Sequence, residues 1–516
     1  MKSSSSSSIS SSSFNNKYKQ QQQYHCNHCN WYLYILLSLS LVWGLFVTSH
    51  TYYNTNSNSN TINNRNNNLY SISKTTNDAN SNVVDNNKFN NRNGEINSIT
   101  ITERKVYNKT KSVDVIKDEI HVVFSTDCSF FQDWQTLLLF HSAVQVKQKG
   151  KITRIASGCD EEKKVLLTEL YKKLYPQYHI HYTPDYKKDA KTGESYDFYN
   201  KPYGMLHFLD NADPKISDNE VIALIDPDMI FLRPLTLQVK GLDNLIPYNH
   251  PKFPNSEIPD RAKKGQPVAS YYGLGAPWAT DRSRRHWNRT NICGKDSPCL
   301  KIDHYYGEFH YSVGPPYILH KDDLHRVSKT WVKFVPKVYE VYPELLAEMY
   351  AYSMAASHEE LPHFIAQHMM ISNTEMHEEG WEWIDKLGTD VCEPPINGIY
   401  YPGKPLPTFL HHCQFFRAGE YGFQKRRIPK SLFKCDGPLM ANLPRDLGKV
   451  NYKNRDGEII KYGKEQARRN AFALCVIHRA INDMIIDYRN RMCESDQISN
   501  ITKQLNLAKD WPNNLN

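Results

Sequence analysis

One short run of residues constrains the fold of this 516-residue chain more than any other. Residues 221–225 are all apolar, and the run then reaches Asp226 and Asp228 before it turns apolar again at Met229. An apolar run of this length, bounded by polar residues, indicates a strand buried on both faces, as in the middle of an α/β sheet. Side chains two positions apart on an extended backbone point to the same side, so we expect both carboxylates to face one point beyond the strand.

Two carboxylates at one buried point predict a metal site. Such a pair is costly unless a cation neutralises it. Mn²⁺ or Mg²⁺ suits oxygen ligands of this kind and keeps open positions for phosphate oxygens. The alternative is an Asp-Pro turn that only ends the strand.

The N-terminal part of the chain differs in composition from the rest. Residues 3–30 are rich in Ser, Gln and Asn, and residues 54–98 contain long Asn/Ser runs, so both have too few large apolar side chains to offset the entropy of ordering. Between them, residues 31–49 carry no charge and are long enough to span a bilayer. Three lysines precede this segment, and the next charged residue is Arg65, so the positive-inside rule predicts a type II signal anchor; a cleaved signal peptide is the alternative. We therefore expect a cytosolic tail (1–30), a transmembrane anchor (31–49), a disordered stem (50–117), a globular domain (118–440) and a helical extension (441–516).

The cysteines fit a lumenal globular part. Nine of the eleven follow the apolar segment, where disulfides are permitted, and an odd number leaves at least one unpaired. Cys293 and Cys299 enclose a short loop and are the best candidates for a local bridge. Asn108, Asn288 and Asn500 are candidate N-glycosylation sites by their Asn-X-Ser/Thr triplets.

The net charge of +8 does not indicate nucleic-acid binding. Charges alternate in sign through the globular part, and no basic block interleaved with aromatic residues is present in the sequence. We therefore expect no nucleic-acid partner.

Strands and helices alternate after residue 118. Apolar runs near 119–126, 151–156 and 178–182 predict strands, and helical spacing near 133–144, 160–175 and 203–209 predicts the helices between them. This alternation indicates βαβ units in a mainly parallel sheet, whose ligands bind beyond the carboxyl ends of the strands. Asp127 and the Asp226/Asp228 pair both lie at such ends. Residues 464–492 also have helical spacing and predict a long C-terminal helix.

A third metal ligand is expected from a distant segment. His411 and His412 follow an apolar run, and a neutral imidazole is a competent ligand for Mn²⁺. A type II anchor, a disordered stem and a lumenal α/β domain with Asp-X-Asp at a strand end together describe a Golgi-type glycosyltransferase, in which the metal stabilises the charge on a departing diphosphate.

Motifs spread over residues 118–440 resemble the hydroxyproline O-arabinosyltransferase and peptidyl serine α-galactosyltransferase family of plants and algae. They occur in a consistent order and comprise Ile120–Thr126, Asp133–Thr136, Thr153–Ser157 with Asp160–Lys163, Asn200–Gly204, Asp226–Met229, Gly314–Pro316, Asp322–Leu324 with Trp331, Glu348–Tyr352 and Leu410–His412. The resemblance implies a GT-A (Rossmann-like) fold with a mixed, mainly parallel sheet flanked by helices. It also implies a UDP-type nucleotide-sugar donor, a divalent metal and retention of the anomeric configuration.

The resemblance also implies roles for single residues. By motif position Asp226, Asp228 and His412 are the metal ligands, and Asp226 also contacts the nucleotide sugar. His411 is the alternative ligand, because the family usually has one His followed by an aromatic residue. The nucleotide pocket would be lined by Ser125, Thr126 and Asp127.

Two further residues have a functional and a structural interpretation. Lys201 would lie near the donor phosphates, where a compact cation is useful, or it is a surface lysine beside Pro202. Glu348 would contact the acceptor or stabilise an oxocarbenium-like transition state, or it is a carboxylate on a helix surface. The departing phosphate itself can take the acceptor's proton, so we name no catalytic base.

The sequence thus predicts a metal-dependent, retaining glycosyltransferase of the Golgi or ER–Golgi membrane. Its acceptor would be a hydroxyl of a secreted or cell-wall protein: hydroxyproline receiving arabinose is one version, and serine receiving galactose is the other. A catalytically silent Golgi scaffold with the same fold is an alternative. A lumenal hydrolase that uses paired carboxylates is a third possibility.

Overall fold

The computed structural model describes most of the chain after residue 118. The described residues are 119–189, 193–239, 259–280, 283, 285–377, 379–388, 391–396, 398, 400–449, 452–453, 459–460, 463–494, 498 and 504–507. The predicted tail, anchor and stem, with Asn108 and Asn500, lie outside these residues. Within the described part, we find no helix whose length and apolar character would let it cross a bilayer.

The main sheet has seven strands and is mixed. Its order is β3 (His179–Thr183), β2 (Ile152–Ser157), β1 (His121–Asp127), β4 (Val221–Ile225), β7 (Val313–His320), β6 (Val268–Tyr271) and β8 (Phe364–Ala366). The first four strands are parallel, β7 is antiparallel to both of its neighbours, and β6 pairs in parallel with β8. The predicted mixed, mainly parallel α/β sheet is therefore confirmed.

Nine helices lie among the described residues. They are α1 (Phe130–Gln145), α2 (Glu161–Leu174), α3 (Asn200–Asn211), α4 (Arg289–Cys293), α5 (His304–Tyr311), α6 (Lys321–Val341), α7 (Ala347–His358), α8 (Trp381–Asp385) and α9 (Lys464–Met492). Helix α2 shows why such segments form: the Asp160 side chain caps it by accepting from the Lys163 N–H at 2.7 Å, and Leu167, Tyr171 and Leu174 supply its buried stripe.

Smaller sheets complete the fold. Strand β10 (Phe409–His411) lies between β5 (Met229–Phe231) and β9 (Met370–Ile371), and it is antiparallel to β5. The two-stranded pairs are β11 (Phe416–Ala418) with β12 (Tyr421–Phe423), β13 (Leu439–Met440) with β16 (Gln504–Leu505), and β14 (Tyr452–Lys453) with β15 (Ile459–Ile460).

The core lies on both faces of the main sheet. In β4, Ala223 and Ile225 belong to one apolar cluster, and Ile222 and Leu224 belong to the other. All five residues of this strand are buried, as its apolar sequence predicted. Helices α1 and α9 pack in the first cluster, and α3, α6 and α7 pack in the second. The result is a helix–sheet–helix arrangement with β4 in the middle of the sheet.

Helix α9 and the main sheet belong to one compact unit, which comprises Lys117–Asn516. It packs against α1, and the Cys392–Cys475 disulfide ties it to the segment after α8. Cys128–Cys159, Cys293–Cys299 and Cys435–Cys493 are also bridged, which includes the predicted local loop. Cys413 is the free cysteine of the described part. This number of disulfides is typical of a secretory-pathway domain.

Candidate active site

The acid pair, Asp226 and Asp228, lies between the main sheet and the three-stranded sheet of β5, β9 and β10. β4 ends at Ile225, and β5 begins at Met229, so Asp226 and Asp228 occupy the short connection between them. Asp228 is buried at 5% exposure, and the Asp226 side chain retains 18%. The connection follows the carboxyl end of a parallel strand, which is the edge where α/β sheets bind ligands.

His411 completes a three-residue group with the two aspartates. Strand β10 pairs His411 with Met229, which brings its ring beside Asp228. His411 Nε2 lies 3.0 Å from Asp228 Oδ1 and 3.9 Å from Asp226 Oδ2. Burial disfavours the charged imidazolium, but the Asp228 carboxylate and Cys413 together outweigh burial and raise the pKa of His411 well above its usual value.

The three residues fit a divalent cation. One ligand atom from each of Asp226, Asp228 and His411 lies within 4.8 Å of the others. Two carboxylate oxygens and one imidazole nitrogen are a suitable donor set for Mn²⁺.

His412, the ligand preferred from the sequence, lies elsewhere. Its ring stacks on Trp134 at 5.6 Å between centroids and meets the Phe423 ring edge-on. Neither ring nitrogen has a hydrogen-bond partner, and burial lowers the pKa of His412 to about 3. Consecutive side chains on an extended backbone point to opposite sides, so only one of the two histidines can face the aspartates. The structure therefore places the alternative, His411, in the group, and our preference for His412 is corrected.

One lysine pairs with each aspartate of the acid pair. Lys201 Nζ lies 2.7 Å from Asp226 Oδ1 and 3.1 Å from Glu348 Oε1, near the start of α3. These carboxylates outweigh burial and raise the pKa of Lys201. Lys425 Nζ pairs with Asp228 Oδ2. The sequence analysis missed Lys425, because it stands in the basic stretch Lys425–Arg427, which has no local mark of a site.

Glu348 lies on the second position of α7, buried at 4% exposure. Its backbone is fixed by two bonds: the Trp331 indole donates to the Glu348 carbonyl at 2.7 Å, and the Glu348 N–H donates to the Tyr196 hydroxyl at 3.2 Å. Oε1 accepts from Lys201, whereas the buried Oε2 has no hydrogen-bond partner. Burial, opposed by Lys201, raises the pKa of Glu348 to about 6. The interpretation of Glu348 as a carboxylate on a helix surface is thus wrong.

A cavity of about 340 Å³ opens beyond the carboxyl ends of β1, β2 and β3. Its ion pair joins Lys187 Nζ to Asp127 Oδ2 at 2.9 Å. Burial raises the pKa of Asp127, but its bonds with Ser129 and Lys187 outweigh burial and lower it. The lining residues are Asp127, Cys128, Ser129, Ser157, Gly158, Asp160, Lys163, Asp185 and Lys187.

Of the three residues expected in the nucleotide pocket, Asp127 lines this cavity. Thr126 is buried beneath it, donating to the Ile155 carbonyl at 3.2 Å and accepting from Arg154 Nε at 2.8 Å. Ser125 donates to the Asn200 carbonyl at 3.3 Å. The side chains of Ser125 and Thr126 therefore support the strand end and do not line this cavity, and their contact with a nucleotide stays a prediction.

The start of α3 connects the cavity with the acid pair. The Asn200 amide donates to Asp185 Oδ1, on the cavity wall, at 3.2 Å. The next residue, Lys201, binds Asp226 and Glu348. Two consecutive residues thus join two regions that the sequence separates, and they orient them relative to each other.

The glycosylation candidate Asn288 is exposed and precedes α4. Its side chain accepts from the Asn291 N–H at 3.1 Å and caps this short helix.

Curated relatives resemble this chain over about 60% of its length. A peptidyl serine alpha-galactosyltransferase from Arabidopsis thaliana is 27% identical over 334 residues, which cover 61% of this chain and 33% of that protein. Its counterpart from Chlamydomonas reinhardtii is 24% identical over 328 residues, 59% of this chain and 36% of that protein. The hydroxyproline O-arabinosyltransferase NOD3 from Pisum sativum is 22% identical over 322 residues, 60% of this chain and 77% of that protein.

These matches show distant homology to the family that the sequence motifs resemble. The matched part spans about one third of the length of each galactosyltransferase. No protein-family model matches the chain. Among solved structures, the apo form of the bifunctional glycosyltransferase WbbM is similar with a TM-score of 0.30 and 9% identity, covering 58% of this chain and 46% of that one.

Proposed function

We propose that this distant homologue of peptidyl serine galactosyltransferases and hydroxyproline arabinosyltransferases is a metal-dependent, retaining glycosyltransferase. It would move a sugar from a UDP-type nucleotide donor to a hydroxyl of a secreted or cell-wall protein. The observation that carries this proposal is the Asp226–Asp228–His411 group at the carboxyl edge of the sheet, joined through α3 to the cavity beyond β1–β3. A metal group beside a cavity at this edge matches what a nucleotide sugar needs.

We assign the metal to Asp226, Asp228 and His411. When bound there, Mn²⁺ or Mg²⁺ supplies positive charge that stabilises the diphosphate leaving group. The nucleoside end of the donor would occupy the cavity bounded by Asp127 and Lys187. Asn200 and Lys201 would then hold the donor between these two regions.

Lys201 and Glu348 act on the sugar end of the donor in this proposal. Lys201 keeps a buried positive charge beside Asp226, where it attracts the donor phosphates. Glu348 Oε2 is buried and has no protein partner, so it is available to an acceptor hydroxyl or to developing positive charge on the sugar ring. Its fixed backbone limits its movement, which is the preorganisation that electrostatic catalysis requires.

The acceptor and the compartment follow from the relatives and from the sequence. The names of the relatives supply serine and hydroxyproline as acceptor residues, and both remain candidates here. The disulfides favour the secretory pathway, and the predicted anchor at 31–49 would place the domain in the Golgi lumen.

A donor and acceptor screen tests the proposal. Full-length protein with Mn²⁺ is incubated with a panel of UDP-sugars and with a Hyp-rich or a Ser-rich peptide, and the peptide mass is measured. We expect the mass of one added sugar. Asp228→Asn should lower the rate by about 100-fold or more. The matched control is Asp218→Asn, the same change at a side chain that is 97% exposed, and it should keep full activity. The proposal fails if no donor is bound or turned over, or if Asp228→Asn is as active as wild type.

A further inference from the structure

Lys425 occupies one oxygen of a candidate metal ligand. Asp228 Oδ1 faces His411 Nε2 at 3.0 Å, and Asp228 Oδ2 accepts the Lys425 ammonium. In the absence of a metal, the Lys425 ammonium therefore supplies positive charge to the Asp226–Asp228–His411 group. Lys201 has the corresponding place on Asp226, but it also binds Glu348 and its side chain is only 10% exposed.

Lys425 lies at the start of a regular element, and part of its side chain is exposed. The residue begins a short 3-10 helix directly after the β11–β12 hairpin, and the ring of Phe423 in β12 packs against His412. The Lys425 side chain is 23% exposed, more than twice the value for Lys201. A lysine whose ammonium has one hydrogen-bond partner and whose stem is partly exposed can change partners by rotating that flexible stem.

We propose that Lys425 is a donor-binding residue that exchanges partners. It pairs with Asp228 before the metal binds, and it turns to a diphosphate oxygen of the donor once Asp228 ligates the metal. This inference rests on the proposed function. An ammonium and a divalent ion on one carboxylate repel each other, so metal binding weakens the Lys425–Asp228 pair and favours a new partner for Lys425. The displaced ammonium stays within one side-chain length of Asp228, where the donor phosphates would lie, and a phosphate oxygen is a strong partner for it.

The exchange couples metal binding to donor binding. Lys425 competes with the metal in the absence of donor, and it adds an attraction for the donor after the metal has bound. The donor therefore raises metal affinity, and by linkage the metal raises donor affinity. Removing Lys425 should change the two affinities in opposite directions. A residue that only supported the fold would weaken both.

The test compares two affinities of the full-length protein. Mn²⁺ binding is measured alone by calorimetry, and UDP binding is measured in saturating Mn²⁺. Lys425→Gln should bind Mn²⁺ about threefold tighter or more, because a competing partner of Asp228 is gone. It should bind UDP about tenfold weaker or more, as expected for loss of a charge-assisted hydrogen bond. Lys425→Arg retains the charge and should bind UDP within about threefold of wild type.

The matched control is Lys430→Gln. Lys430 is exposed on the same segment, with Nζ 5.7 Å from the centroid of the Phe130 ring, and its loss changes the net charge equally. The affinities of Lys430→Gln for Mn²⁺ and for UDP should stay within about twofold of wild type, because an exposed charge several residues away is screened. Unchanged affinities in Lys425→Gln, or equal weakening of both, would overturn the partner exchange. Wild-type protein that binds Mn²⁺ but no UDP would overturn the proposed function and the donor role together, whereas UDP binding that survives Lys425→Gln would overturn the role of Lys425 alone.

Discussion

The two adjacent histidines after β10 offer the sharpest test of the candidate metal group. His411 faces Asp226 and Asp228, whereas His412 stacks on Trp134 and meets Phe423 edge-on. The same substitution, His→Phe, can be made at both positions. If His411 is the metal ligand, the same substitution at these neighbouring positions will have different effects on Mn²⁺ affinity and opposite effects on the free energy of unfolding.

The expected magnitudes follow from the contacts of each ring. Loss of an outer-shell partner of a metal ligand typically costs 10- to 100-fold in metal affinity, so His411→Phe, which removes a ligand, should cost about 100-fold or more in Mn²⁺ affinity. It also removes the charged partner of the buried Asp228 Oδ1, which should lower the free energy of unfolding by about 3 kcal/mol. His412→Phe removes two buried ring nitrogens without hydrogen-bond partners, and it should raise the free energy of unfolding by about 1 kcal/mol and leave Mn²⁺ affinity unchanged.

Calorimetric titration with Mn²⁺ and urea denaturation without metal measure both quantities on the same samples. Sugar transfer is not needed as a readout, so the result does not depend on the choice of donor. The reasoning is refuted if His412→Phe abolishes Mn²⁺ binding and His411→Phe retains it. It is also refuted if both variants bind Mn²⁺ as wild type does.

Three further predictions concern other parts of the molecule. Glu348→Gln should lower kcat by about 100-fold or more while the donor KM changes less than about threefold, measured by steady-state kinetics, because the loss falls on the transition state. Burial raises the pKa of Glu220, but its bond to His121 and further bonds outweigh burial and lower it from 4.5 to about 2. At about 1.36 kcal/mol per pKa unit, wild type should be about 3 kcal/mol more stable than Glu220→Gln above pH 4.5, and urea titrations should show this difference disappearing as the pH falls toward 2. Replacing Cys128 and Cys159 with Ser should cost about 3–4 kcal/mol in the same assay, because their disulfide closes a 31-residue loop.

Each of these predictions has a result that contradicts it. A donor KM that rises as much as kcat falls would assign Glu348 to ground-state binding instead of the reacting centre. A stability difference for Glu220→Gln that stays constant from pH 7 to pH 3 would contradict the lowered pKa. Serine variants at Cys128 and Cys159 with wild-type urea midpoints would show that the bridge does not constrain the unfolded chain.

Much of the sheet followed from local pattern. The apolar run at 221–225 is a strand buried on both faces because only a central strand can accept five consecutive apolar residues. The capping residue Asp160 similarly indicated where α2 begins, and the helical spacing of apolar side chains over residues 464–492 indicated α9. The mixed character of the sheet arises from β7, whose antiparallel pairing with β4 is a long-range choice.

In the candidate site, too, some features follow from neighbouring residues and others from long-range contacts. The Asp226-Pro227-Asp228 spacing was sufficient to predict two carboxylates at a strand end, because that geometry depends only on neighbouring residues. Choosing between His411 and His412 required the register of β10 against β5, since a shift of one residue exchanges the two faces of a strand. Lys425 carries no local signal at all, and only the hairpin after β10 returns it to Asp228. Sequence thus determined the acid pair, while tertiary structure decided its partners, because a ligand group is assembled from segments whose distance in the chain says nothing about their distance in space.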